Sequence, residues 1–181
     1  LGPNLHAVMM HRAEDLLAPT ADVVWAVCAN FASQHGIRLG VSCYDMPTLN
    51  ALCSRYCVDV VQLPGNALDQ RLNATALPQP AIDVHLRSAF LQGLLLMPQA
   101  EAAARLPSAR LPLERWHAWC LKRELSPLVA ALGLVKGFPH VSHCVVGVGD
   151  VGQLEAISEA WNEAPVLYGP ELSVFESTII D

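Results

Sequence analysis

The stretch IDVHLRSAFLQGLLLM, Ile82 to Met97, decides how the rest of this chain is read. Ile82, Val84 and Leu86 alternate with Asp83, His85 and Arg87, a period of two that predicts a strand. Ser88 interrupts the run, and Gly93 precedes a second apolar string, Leu94 to Met97. In proteins built of parallel strands and helices, polar residues at the C-terminal ends of strands carry the ligands. Arg87 falls at such an end. Its planar guanidinium suits a carboxylate, a phosphate or the face of a ring. The alternative is a buried strand whose Arg87 pairs with a structural acid.

Working outward, four more strands are expected: Leu5 to Met10, Ile37 to Ser42, Val58 to Leu63 and Val141 to Val148. Helices fall between and after them. The first runs from Ala21 to Gln34, with Thr20 as N-cap, Gly36 as stop, and Val24, Val27, Cys28 and Phe31 on its inward face. The second runs from Met46 to Tyr56, with Pro47 in its first turn and Leu49, Leu52 and Cys53 inward. A short helix is expected over Ala67 to Asn73, and an Ala-rich helical turn between Pro98 and Pro112. Leu113 to Leu125 buries Trp116, Trp119 and Cys120. Ser126-Pro127 opens a helix reaching about Lys136, another runs from about Gly152 to Asn162, and the tail after Pro165 reads as irregular. Strand and helix alternate five times, the pattern of βα units around a parallel sheet. The strands read as apolar on both faces, as buried parallel strands do. No boundary divides the chain, so residues 1–181 read as one domain.

Composition narrows the function classes. With 52% hydrophobic and 15% charged residues in 181, the chain can bury a core and is not a disordered segment. The net charge of −6 and the lack of a basic run argue against nucleic acid or an anionic membrane as partner. There is no apolar run of membrane-spanning length and no secretory leader, so a cytoplasmic location is expected. The six cysteines form no CxxC pair and have no clustered histidines, so no metal site is expected. Buried thiols in a reducing compartment are the reading they support.

The residues just past each strand are His11, Ser42 with Cys43, Gln62, Arg87 with Ser88, and Gly147 with Gly149. In a parallel barrel such residues gather on one face. GVGDVGQL, from Gly147, resembles a glycine-rich turn opening a helix, where free N–H groups suit a phosphate. His11 and Gln62 each have a plain structural alternative, as do Asp59 and Asp83 inside their strands. No GxSxG, P-loop or HExxH pattern occurs.

The motifs MMHR, GIRLGVS, VDVVQLPGN, VHLRSAFLQGLLL and VSHCVVGVGDVGQLEAI, in that order, resemble the aldo/keto reductases. The resemblance extends to about Ala164, and VQLPGNALDQR and RSAFLQGLLL look most like a bacterial subset associated with sugar or surface-polysaccharide metabolism. It implies an α/β fold: a partial (β/α)8 TIM barrel, comprising strands four to eight with their helices. A complete barrel of this type takes about 250 residues. The opening Leu1-Gly2-Pro3-Asn4, without an initiator Met, fits a fragment that lacks the first three βα units.

The resemblance implies hydride transfer from NADP or NAD to an aldehyde, ketone or sugar carbonyl, with a Tyr as general acid assisted by an Asp, a Lys and a His. The His matches His11. The other three belong to the unmatched part, and Tyr44, Tyr56 and Tyr168 are not at that motif. For the cofactor, Ser42 and Gln62 match the residues holding the carboxamide, with Cys43 where Asn is usual. Arg87 stands where an aromatic stacks on the nicotinamide. Ser88, Phe90 and Gln92 match the loop over the pyrophosphate, and Gly147 and Gly149 the last βα turn. Val148 and Gln153 stand where a Lys and an Arg meet the 2′-phosphate of NADP, and Asp150 opposes such a group. The expected activity is therefore an NAD(P)-dependent oxidoreductase, inactive as this chain alone. The alternative is a non-catalytic nucleotide-binding or assembly protein of the same descent. Open sheet edges are expected to favour self-association.

Overall fold

In the computed structural model, residues 4–74 and 76–174 are described; residues 1–3 at the chain start and 175–181 of the tail lie outside them. Five strands, β1 (Ala7–Met10), β2 (Arg38–Ser42), β3 (Val60–Pro64), β4 (Asp83–Arg87) and β5 (Val141–Cys144), form one sheet in sequence order. β1 pairs parallel with β2, and β2 with β3. The helices are α1 (Ala21–His35), α2 (Met46–Cys53), α3 (Gln99–Arg105), α4 (Arg110–Lys122), α5 (Pro127–Gly137) and α6 (Val151–Glu163). Parallel strands alternating with helices make the sheet of a partial (β/α)8 barrel, as the sequence predicts.

Burial varies along the sheet in a way that the sequence reading did not anticipate. β2 and β3 are almost wholly buried, whereas β1 and β5, the end strands, are half-buried or exposed along their length. The expectation of strands buried on both faces holds only where both neighbours are present. β4 realises the predicted alternation, with Val84 and Leu86 buried and Asp83, His85 and Arg87 half-buried. β5 ends at Cys144, not Val148. Gly40 is needed in β2, because a Cβ there would run into the carbonyl oxygen of Val60.

The described residues fall into two compact units. The first comprises 4–63 and 76–85. Its α1 ends at Gly36, which takes φ +63°, and the N–H of Ile37 reaches back to Ala32 O at 2.9 Å, so glycine closes the helix in the left-handed region. Thr20, by contrast, makes no side-chain cap. The inward face also differs from expectation. Ala21, Trp25 and Ala32 are buried, while Val23, Val24 and Val27 are 70%, 47% and 65% exposed. The helix is apolar nearly all round, so periodicity admits either face. The larger aromatic surface decides, with Trp25 stacked on Tyr56 at 4.7 Å. Tyr56 donates its hydroxyl to Asp22 at 2.7 Å, and Arg55 donates to the same oxygen at 2.7 Å. These bonds, the hydroxyl first, hold the Asp22 carboxyl below its ordinary range.

α2 buries Leu49 and Leu52 as expected. It stops at Cys53, short of Tyr56, and its N-cap is Asp45, which accepts the Thr48 N–H at 2.7 Å. Asp59 and Asp83 are structural acids. Arg38 donates to Asp83 Oδ2 at 2.6 Å and to the Asp59 carbonyl at 2.7 Å, and the Asp59 carboxylate accepts the Leu39 N–H at 2.9 Å.

The second unit comprises 64–74 and 86–174. Leu95, Leu113, Trp116, Cys120, Ala130 and Leu134 are among its core residues. Ser126 caps α5 by accepting the Val129 N–H at 3.2 Å. The helix expected over Ala67 to Asn73 is replaced by a buried polar loop and a short 3-10 turn, Arg71–Ala74. Asn66 Oδ1 accepts the N–H groups of Leu68 and Asp69 at 2.9 and 3.0 Å, a side-chain alternative to helical bonding.

Among the described residues none of the six cysteines forms a disulfide. Only Cys43 and Cys120 are buried and Cys57 is exposed, so the expectation of buried thiols holds for part of the set. Burial pushes the Cys120 thiol up to about 12 and that of Cys144 to about 11. No helix of the described residues is long and apolar enough to cross a membrane.

Candidate functional site

The residues singled out from the sequence fall in two groups, one in each unit. In the first unit they sit at successive strand ends. Parallel register pairs Met10 with Val41 and Ser42 with Gln62, so His11 and Ser42 each follow a paired residue. Ser42, buried, donates its hydroxyl to Gln62 Oε1 at 3.3 Å, and the N–H of Cys43 binds the Gln62 carbonyl at 3.0 Å. Gln62 is half-buried and His11 exposed. A serine hydroxyl and a glutamine amide joined in this way form a couple that a further amide can enter as donor or acceptor.

In the second unit the groups surround a cavity of about 620 Å³. Ser88, Phe90 and Gln92 line it from the segment after β4, Gly147 from the segment after β5, and Gln153 from the first turn of α6. Apolar walls come from Leu96, Leu128 and Ile157. Among the described residues, no charged side chain lines it. Arg87 and Gly149 stand beside the cavity, not in it: Arg87 donates to Ser88 Oγ at 3.3 Å, and the Gly149 N–H binds Gln153 Oε1 at 2.9 Å.

Backbone conformation is unusual here. Ser88, Leu91 and Gln92 have φ of +62°, +47° and +52°, and Gly93 follows at +88°. Non-glycine residues in that region cost of order 1–3 kcal/mol each and cluster at ligand clamps. At Gly147 the glycine has no such cause. It has no positive φ, and nothing lies within 4 Å of the position a Cβ would take.

The start of α6 is already engaged. Asp150 Oδ1 accepts the Gln153 N–H at 2.8 Å while Gln153 accepts from Gly149. This pair of bonds caps the helix with the N–H groups of Gly149 and Gln153, donors that an anion at the helix start would need, and it sets a carboxylate there. The sequence marked Gln153 only as a replaced basic residue; the cap was legible in the D-x-x-Q spacing. The apolar walls supplied by Leu128 and Ile157 left no signal of their own, because they belong to ordinary amphipathic helices.

No protein-family model matches the sequence, and no curated protein matches it. Among solved structures, the apo form of aldo-keto reductase AKR11C1 from Bacillus halodurans superposes with a TM-score of 0.68 at 17% identity, covering 92% of this chain and 59% of that one. The holo form gives 0.64 at 16% identity, covering 90% and 57%. The chain thus spans less than two thirds of the length of the structures it resembles. Five strands in order, their helices and this superposition establish that the chain has the aldo-keto reductase fold, as a partial (β/α)8 barrel.

Proposed function

We propose that this chain is the cofactor-holding part of a nicotinamide-dependent carbonyl reductase. The observation that carries the reading is the cavity of the second unit, lined by Ser88, Phe90, Gln92, Gly147 and Gln153. Gly147 supports it further, since a Cβ there would have no described atom within 4 Å. What glycine supplies at such a position is close approach of a ligand to the backbone. Ser88 and Gln92 offer hydrogen bonds to a pyrophosphate, and Phe90 an apolar contact. In the first unit the Ser42–Gln62 couple suits a carboxamide. When bound, NAD or NADP would supply the hydride for an aldehyde, ketone or sugar carbonyl.

Among the described residues the cavity offers no cation to a phosphate, and the Asp150 carboxylate caps α6. NADH is therefore expected to bind at least as well as NADPH. His11, exposed after β1, is assigned the orienting of a carbonyl. A positioned general acid contributes about a hundred- to ten-thousand-fold, and none of this chain's tyrosines stands at the reductase motif. The 181-residue chain alone is expected to bind the dinucleotide without turnover. Isothermal titration with NADH and NADPH, and an NAD(P)H-consumption assay with a simple aldehyde, test both halves. A flat titration with both dinucleotides removes the cofactor reading; steady turnover by the chain alone removes the inactivity. Thiols outside disulfides support a reducing, cytoplasmic setting.

The end strands β1 and β5 and the exposed valines of α1 support self-association of the isolated chain. Light scattering is expected to report dimers or larger species, and a clean monomer at all concentrations would refute this.

A further inference from the structure

Among the described residues, the backbone from Ser88 to Leu96 is bonded from outside by the Trp116 indole at its far end, on the Leu95 carbonyl, and by Asn66 at its start. Asn66, 1% exposed in the turn after β3, donates from Nδ2 to the Ser88 carbonyl at 3.3 Å across 22 residues of sequence. Its Oδ1 accepts from Leu68 and Asp69, and its own N–H binds the Asp69 carbonyl at 3.0 Å. The side chain thus uses donor and acceptor together: one end builds its own turn, the other reaches Ser88. Only an amide offers both in this size. The residue it reaches is the first of the positive-φ group, at +62°. The same Ser88 carbonyl also accepts the Leu91 N–H at 2.9 Å, which starts the chain of turns through Leu96.

We propose that Asn66 is a positioning residue for the cavity. By clamping the Ser88 carbonyl it keeps Ser88 in the left-handed region, and so sets the course of Ser88 to Gly93 along the wall. A ligand meeting a pre-ordered wall loses less freedom on binding than one that must order it. The consequence for affinity rests on the nucleotide reading above; the ordering of the segment does not.

The test separates Asn66's two roles. Asn66→Asp keeps the acceptor for Leu68 and Asp69 and loses the donor to Ser88. Asn66→Ser keeps a weaker acceptor for the turn, adds no charge beside buried Asp69, and is too short to reach Ser88. Hydrogen exchange read by mass spectrometry is followed over 88–96, with α4 as internal reference. In whichever variant folds, exchange over 88–96 is expected to rise about tenfold while α4 is unchanged, as for local opening of a released segment. Adding Ser88→Gly is expected to restore protection, because glycine adopts positive φ without penalty. A merely structural role for Asn66 predicts no such rescue. Exchange over 88–96 within about twofold of wild type, or a double variant worse than the single, overturns the proposal. Loss of α4 protection in both single variants also overturns it, since Asn66 would then support the whole unit. Titration with NADH is run alongside, with affinity expected to fall about tenfold in the single variants if a disordered wall must be ordered on binding. A flat wild-type titration rejects the nucleotide reading while the exchange data still decide the role of Asn66.

Discussion

Trp116→Ala is expected to lower the unfolding free energy by about 3–5 kcal/mol, the range for removing a buried aromatic. Trp116 is fully buried in α4 and is the largest side chain so enclosed among the described residues. Its indole N–H donates to the Leu95 carbonyl at 2.8 Å, and its ring stacks on Trp119 at 5.9 Å. Alanine leaves a void where the ring was and a buried carbonyl without that donor, and the two losses act together. Trp116→Phe separates them: the ring stays, the N–H goes, and a smaller loss of about 1–3 kcal/mol is expected. Denaturant unfolding followed by circular dichroism reads both. A Trp116→Ala variant within about 1 kcal/mol of wild type would mean that the second unit does not pack around this ring.

Arg38→Met is expected to cost about 2–3 kcal/mol, below the 3–5 typical of breaking a buried ion pair because the arginine side chain keeps some contact with water. Arg38 is 32% exposed, but its partner Asp83 only 13%. The guanidinium meets that carboxylate at 2.6 Å and also satisfies the Asp59 carbonyl. Methionine retains much of the stem's apolar surface, so the loss reports charge and hydrogen bonding more than packing. His85 Nε2 lies 3.4 Å from the same Asp83 oxygen. Since a shielded pair is weakly screened, the difference between wild type and variant should persist in high salt. A difference that vanishes with added salt would place this pair among surface ion pairs of little value.

Much of the fold follows from short-range patterns. The alternation of Ile82 to Arg87 became β4, with Val84 and Leu86 inward, and Ser126-Pro127 opened α5 with a serine cap. Those features depend on neighbours two to four residues apart, which a sequence displays directly. The inward side of α1 does not. Val24, Val27 and Phe31 share one face and Trp25 lies on another, and only the position of Tyr56 selected between them.

The candidate site divides in the same way. Ser42 and Gln62 were marked as residues at strand ends, and parallel register then made them hydrogen-bond partners. Gln153 was noted for lacking a positive charge, yet its contact with Gly149 belongs to a cap that Asp150 completes. Asn66 carried no warning at all, since its partner Ser88 lies beyond a strand and a loop.

By itself, then, the amino-acid order determined the five strands and most of the helices between them, though not the loop that replaces a helix after β3, because hydrophobic period and turn chemistry act within a few residues. Only the tertiary structure decided which face of α1 is buried, where Asn66 reaches, and which residues border the cavity. Those outcomes depend on groups brought together from distant parts of the chain, and no local pattern encodes the distance between them.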